Sequence, residues 1–193
     1  MIIGRPLFHE GDLSRYLRGQ EGAVGEHVRR TMGKDDLSKT DAEIVQAMLP
    51  GAYVTPLAVA FDQVQKDVTE ARVNVTDSFS RRQVQIDGVR ATRRFPFTGQ
   101  VELFDMQPSQ WSSAHPRGEV RSGYVTIGIE GRADDRDSLK RELDRQETCL
   151  KNYVEWSTAQ IDEHNTKLKG LLTEAVARRR NHLSSLDDLA DGI

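Results

Sequence analysis

The sequence predicts an α+β fold: a small antiparallel sheet of four or five strands, with short helices and one very long carboxyl-terminal helix. Three observations predict it. Beyond Pro56 the apolar period changes from near 3.6 to near 2, the signature of half-buried strands. Short turn signals separate these β-rich runs, which favours antiparallel neighbours. From Asp134 to about Ser185, roughly fifty residues run without a proline and are dense in Leu, Ala, Glu, Lys and Arg, the residues that lose least entropy in a helix. At about 1.5 Å per residue such a helix would be about 75 Å long, more than the diameter of a small domain.

Bulk composition limits the alternatives. A chain of 193 residues holds one good core, or a compact domain plus an extended helix. With 37% hydrophobic, 30% charged and 6% aromatic residues, it suits a helix-rich protein with large solvated faces. A net charge of −3 sets up no global field that would draw it to nucleic acid or an acidic membrane. The single cysteine, Cys149, excludes an internal disulfide and reads as a small hydrophobe on the long helix in a reducing compartment. The amino terminus has no signal-peptide h-region and no apolar run is long enough to span a bilayer, so a cytoplasmic location without membrane contact is expected. Without a secretion signal, the acceptor pattern Asn74-Val75-Thr76 carries no meaning.

Each element has its local cause. From Glu10 to Met48, short helical patterns alternate with Gly11, Gly19, Gly22, Gly25 and Gly33, which predicts short helices. Ser38 or Thr40 caps a helix through Ala42, Ile44, Val45, Met48 and Leu49, with Asp41 and Glu43 in its first turn and Pro50-Gly51 at its end. Val59 and Phe61, then Ala71, Val73 and Val75, alternate with polar neighbours as strands do. Val84–Ile86 and Val89–Phe97 form the next pair, joined by a tight turn at Asp87-Gly88. Pro96 places Phe95–Phe97 at an edge or a strand end. The segment from Thr98 to Gly118 carries Leu103, Phe104, Met106 and Trp111, so it is expected to pack back over the sheet or a helix. Val120 to Glu130 is one further β-rich run.

The long helix opens at Asp134, Asp135 and Asp137, where carboxylates meet the positive end of the dipole. Leu139, Leu143, Leu150, Val154, Ile161, Leu168, Leu172, Val176 and Leu183 follow on one face. Their summed span of 44 residues, four elevens, fits a nearly straight helix better than a strict heptad coiled coil. The patch Asp162–Lys167, polar all round and followed by Gly170, is where a kink would fall; continuity is the expectation. Arg178-Arg179-Arg180 then favours the carboxyl-terminal dipole. The expected division is residues 1–132 as an α+β domain and residues 133–193 as a long helical arm, with truncation from a longer protein part of the expectation.

Catalytic motifs are not visible. His9, His27, His115, His164 and His182 show no metal-ligand spacing, and Asp134, Asp135 and Asp137 serve a helix start better than a cation. Glu119-Val120-Arg121 only imitates the acid-x-lysine of a restriction-type nuclease, and no phosphate loop, dinucleotide fingerprint or nucleophile elbow is present. No catalytic, cofactor or metal residues are therefore assigned, and no cofactor is expected. The helix residues Leu139, Leu143, Leu150, Val154, Ile161, Leu168, Leu172 and Val176 are the candidate partner interface, for another copy or for the protein's own effector domain. The alternative is a nucleic-acid-binding or nuclease-associated domain using Arg81, Arg82, Arg90, Arg93 and Arg94 against phosphates.

Three stretches, FPFTGQVELFDMQPSQW, HPRGEV before a β-rich run, and the helix ending TEAVARRRNHL, carry a resemblance over about residues 89 to 189. They resemble the amino-terminal module of large, mostly uncharacterised bacterial proteins associated with defence against phages. In those proteins the module precedes a variable effector, such as a restriction-endonuclease-like or toll/interleukin-receptor-like domain. The resemblance implies a non-enzymatic scaffold, oligomerisation or sensing module whose long helix leads to a downstream effector. It brings no active-site residues with it. Such chains continue with a glycine, an aliphatic residue, proline and basic residues, so Gly192-Ile193 implies truncation.

Overall fold

The computed structural model describes residues 1–76 and 82–191. Its elements in chain order are β1 (Arg5–Pro6), β2 (Gly11–Asp12), α1 (Leu13–Thr31), α2 (Asp41–Ala52), β3 (Ala58–Val59), β4 (Gln65–Thr76), β5 (Gln83–Thr98), β6 (Met106–Gln107), β7 (Arg117–Arg121), β8 (Tyr124–Gly131) and α3 (Arg136–Asp191). Single 3-10 turns cover Lys34–Ser38, Phe61–Gln63 and Val101–Asp105. The fold is α+β, with an antiparallel sheet, two shorter helices and one long carboxyl-terminal helix. Among the described residues, no helix is long and apolar enough to cross a membrane.

The chain divides into two compact units, Met1–Asp12 with Pro56–Thr158, and Leu13–Thr55 with Ala159–Ile193. Helix α3 contributes residues to both, because its apolar face serves two cores.

The first unit is built on the sheet, in the order β1-β7-β8-β5-β3, with β4 also pairing β5. β5 is its longest strand and Pro96 lies within it, opposite Tyr124 of β8. Pro96 falls between the residues that pair β4 and those that pair β3, and its carbonyl accepts from Ala60 N–H at 2.9 Å. The absent N–H therefore points at a step between two partner strands and costs no ladder bond. Phe95, Val125 and Ile127 lie buried on one sheet face, and Leu143, Leu150 and Tyr153 of α3 are buried in the same unit. Phe8, whose ring lies between Phe104 (5.6 Å) and Tyr153 (5.4 Å), holds a φ of +54° to reach that place.

Two strand expectations change. Asp87-Gly88 is not a turn: β5 continues through it, and β4 pairs it in unbroken register from Gln65–Arg94 to Thr76–Gln83. Gly88 is glycine because a Cβ there would stand 2.6 Å from Gly131 O and from Val73 Cγ2, not because the backbone needs a positive φ. The real tight turn is Ser122-Gly123, with φ of +46° and +79°, the signs of a type I′ hairpin. It divides the run expected over Val120–Glu130 into β7 and β8. In the connecting segment Leu103 and Phe104 are buried as expected, whereas Trp111 is largely exposed.

The second unit is helical. Val24, Val28 and Met32, Ile44, Val45, Met48 and Leu49, and Leu168, Leu172, Ala175, Val176 and Leu183 form one apolar cluster. The expected short glycine-broken helices are instead one helix of 19 residues, α1, in which Gly19, Gly22 and Gly25 face open space. The buried face outweighs the roughly 1 kcal/mol that each glycine costs a helix. Thr40 caps α2 as expected, its hydroxyl accepting from Glu43 N–H while the Glu43 carboxylate accepts from Thr40 N–H.

Helix α3 runs without interruption through Asp162–Lys167. The polar character of that patch has a cause within the second unit. Asn165 donates to Val54 O at 2.9 Å and accepts from Val54 N–H at 3.2 Å, and His164 Nδ1 lies 3.1 Å from Glu21 Oε1; just before the patch, Gln160 donates to Ser14 Oγ at 2.9 Å. Arg180 likewise is not a terminal-dipole residue, since α3 continues to Asp191. Its guanidinium holds Asp41 Oδ1 at 2.5 Å and Leu37 O at 2.9 Å.

Candidate interaction surface

The register of β4 and β5 sorts their side chains into two faces, because directly opposed residues in an antiparallel pair point the same way. Lys66, Val68 and Glu70 share a face with Arg93, Ala91 and Val89. Gln65, Asp67 and Thr69 share the other with Arg94, Thr92 and Arg90.

The first face meets the opening turns of α3. A groove of about 530 Å³ lies there, with Val68, Val89, Ala91, Leu139 and Leu143 among its apolar lining and Lys66, Arg136 and Lys140 among its charged lining. Its inner wall is fixed by Arg93, which reaches from β5 to Asp144 Oδ1 at 2.6 Å and Glu147 Oε2 at 2.7 Å. Burial raises the Glu147 carboxyl, but hydrogen bonds from Lys151 and Arg93 outweigh that and hold it below the ordinary glutamate range. Asp144 is held down by Lys140 first and Arg93 second. The other face is polar: the Arg90 guanidinium donates to Glu130 Oε1 at 2.6 and 2.9 Å, and Arg94 stacks 3.7 Å over the Tyr124 ring.

At the outer edge, β4 pairs β5 on one side and, among the described residues, no strand on the other. Residues Gln65–Glu70 are all exposed, and Val68 keeps 65% of its surface. Alternate residues of this twelve-residue strand thus present outward N–H and C=O groups.

The sequence-predicted residues fall elsewhere. Leu143, Leu150 and Val154 are buried in the first unit and Ile161, Leu168, Leu172 and Val176 in the second, while Leu139 is half-buried in the groove. The stripe offered as a partner interface is thus covered by the chain itself, because the sheet and the α1–α2 pair each supply an apolar face for it. Of the arginines, Arg90 and Arg93 are committed to carboxylates and Arg94 to an aromatic face; Arg82 is exposed, and Arg81 lies outside the described residues. Pairing of this kind lowers the positive potential that phosphate binding requires. Among the described residues no three His, Cys, Asp or Glu side chains gather to hold a metal ion.

Tyr153, Cys149 and Gln146, on one face of α3, fasten the segment before β7. Tyr153 accepts from Ser112 N–H and donates to Ser112 O, Cys149 Sγ donates to Ala114 O at 3.2 Å, and Gln146 accepts from Arg117 N–H at 3.0 Å. Burial raises the Cys149 thiol, with nearby Arg145 opposing, so it is the unreactive form that is favoured. Sequence reasoning missed the β4 edge. Its signal is the two-residue spacing of Lys66, Val68 and Glu70, which puts one valine between opposite charges on a single strand face.

No family model, curated protein or solved structure matches this chain.

Proposed function

We propose that this chain is a non-catalytic scaffold or sensing module of a larger bacterial defence-type protein, with α3 leading towards an effector domain. One observation carries the reading. Beyond Leu183, the last residue of the helical core, α3 continues and exposes Leu186 (42%) and Leu189 (64%), three residues apart on one side of the helix. A second body docked on the end of α3 would bury them. The charged side chains support the same reading, since Arg93 with Asp144 and Glu147, and Arg180 with Asp41, hold elements together.

The test is the protein encoded by the full reading frame. Leu186→Asp with Leu189→Asp should leave the chain's circular dichroism unchanged and uncouple effector activity from its trigger. Trigger-dependent activity that survives deletion of residues 1–193, or turnover of a substrate by the isolated chain, would overturn the proposal.

A further inference from the structure

The geometry points to a second copy of this chain as the occupant of the open β4 edge, paired antiparallel about a two-fold axis through Val68. This inference stands apart from the effector reading: the chain can dimerise with or without a downstream domain.

An open edge of this length is a pairing surface unless something blocks it. β4 contains no proline, pairs β5 in unbroken register, and has no covering strand among the described residues. Its charges, Lys66, Asp67, Glu70 and Arg72, would defend the edge only if they repelled an identical strand. They do not repel in one register. A two-fold axis perpendicular to the sheet keeps each face on its own side, so the centre of pairing falls on a residue and not between two.

Centred on Val68, the two valines meet each other, Lys66 meets Glu70 of the second copy, and Glu70 meets Lys66. These three positions share the face that carries the groove, and all three are exposed. The neighbouring registers fail. Centring on Asp67 or on Glu70 sets like carboxylates face to face, and centring on Thr69 sets Lys66 against Arg72. Centring on Ala71 turns Val68 from an apolar partner to Asn74. Charge and apolar exposure therefore select one pairing, which adds a second set of strands to the sheet and covers Val68 beside Leu139 at the groove.

The test is sedimentation velocity on the full chain over a concentration series, with circular dichroism confirming that each variant folds. The wild type should dimerise. Lys66→Glu changes both symmetry-related pairs from attractive to repulsive and should weaken the dimer about tenfold or more, as should Glu70→Lys. The double variant Lys66→Glu with Glu70→Lys restores both pairs and should return the dimer to within a few-fold of wild type. In a Cys149→Ser background, Val68→Cys should cross-link to its own counterpart on oxidation, whereas Thr69→Cys, which faces Asp67 in this register, should not. A wild type that stays monomeric throughout, a dimer indifferent to the charge reversals, or equal cross-linking at both positions would overturn the inference.

Discussion

Asn165→Ala separates two accounts of the polar patch in α3 and predicts opposite signs from them. If the patch were a local weak point, alanine at a helix-interior position would stabilise the chain by about 0.5 kcal/mol through propensity alone. The structure instead makes Asn165 a clamp, with one hydrogen bond to Val54 N–H and one to Val54 O. Val54 is 2% exposed, so truncation leaves one donor and one acceptor without a partner. Each costs about 1–3 kcal/mol when buried and unpaired, and subtracting the propensity gain leaves a net loss of about 1.5–5.5 kcal/mol. The assay is urea unfolding followed by circular dichroism, read together with amide exchange at Val54, whose N–H is the atom released. Asn165→Asp adds a control: its carboxylate would face the Val54 carbonyl, so the folded state would favour the protonated acid. That variant should recover stability as pH falls. An alanine variant as stable as the parent, with Val54 exchange unchanged, would refute the clamp.

Other expectations are shorter to state. Arg93→Met removes one of the two partners of Glu147, Lys151 remaining, and one of the two of Asp144, and should cost about 2–3 kcal/mol, because a partly buried carboxylate loses its bond from β5. Glu147 and Asp144 are both held below their ordinary pKa values, so their stabilisation is present above the usual carboxylate range and lost as pH falls through the lowered values. The variant's stability should accordingly depend less on acid pH than the wild type's, which unfolding measured across the acid range would check. Gly88→Ala should destabilise by roughly 2 kcal/mol or more, since the added carbon meets a backbone oxygen; a neutral effect in thermal unfolding would restore the turn reading. Phe8→Ala should lose about 3–5 kcal/mol, the usual cost of emptying a buried aromatic site, with the positive φ unrelieved because alanine keeps its Cβ. Cys149 should alkylate slowly near neutral pH, with a rate that keeps climbing further into the alkaline range than that of a free thiol.

What could be read from the sequence were the features whose causes are local. Thr40 and Glu43 stand three apart before an apolar helix, and their reciprocal hydrogen bonds need nothing from the rest of the chain. The apolar spacing from Leu139 to Leu183 similarly fixes which face of α3 is buried. What covers that face was not legible, because an apolar stripe looks the same whether a sheet, a helix pair or another molecule lies against it. Asp87-Gly88 misled for a related reason: the dipeptide suits a turn, but the glycine is demanded by Val73 and Gly131, whose approach only the folded sheet reveals. Ser122-Gly123 carried a true turn signal within a run whose β-rich character concealed it. The arginines from Arg90 to Arg94 read as a basic cluster because their acidic partners, Glu130, Asp144 and Glu147, are 40 to 54 residues away.

The central claim is that α3 buries its apolar face within its own chain while β4 keeps an edge for another. Amide hydrogen exchange as a function of protein concentration tests both halves at once. Exchange in α3 from Leu143 to Val176, including Asp162–Lys167, should be slow and unchanged on dilution, while the outward amides of β4 should lose protection as the chain is diluted. Protection of α3 that falls with dilution, or fast exchange through Asp162–Lys167 at every concentration, would contradict the account.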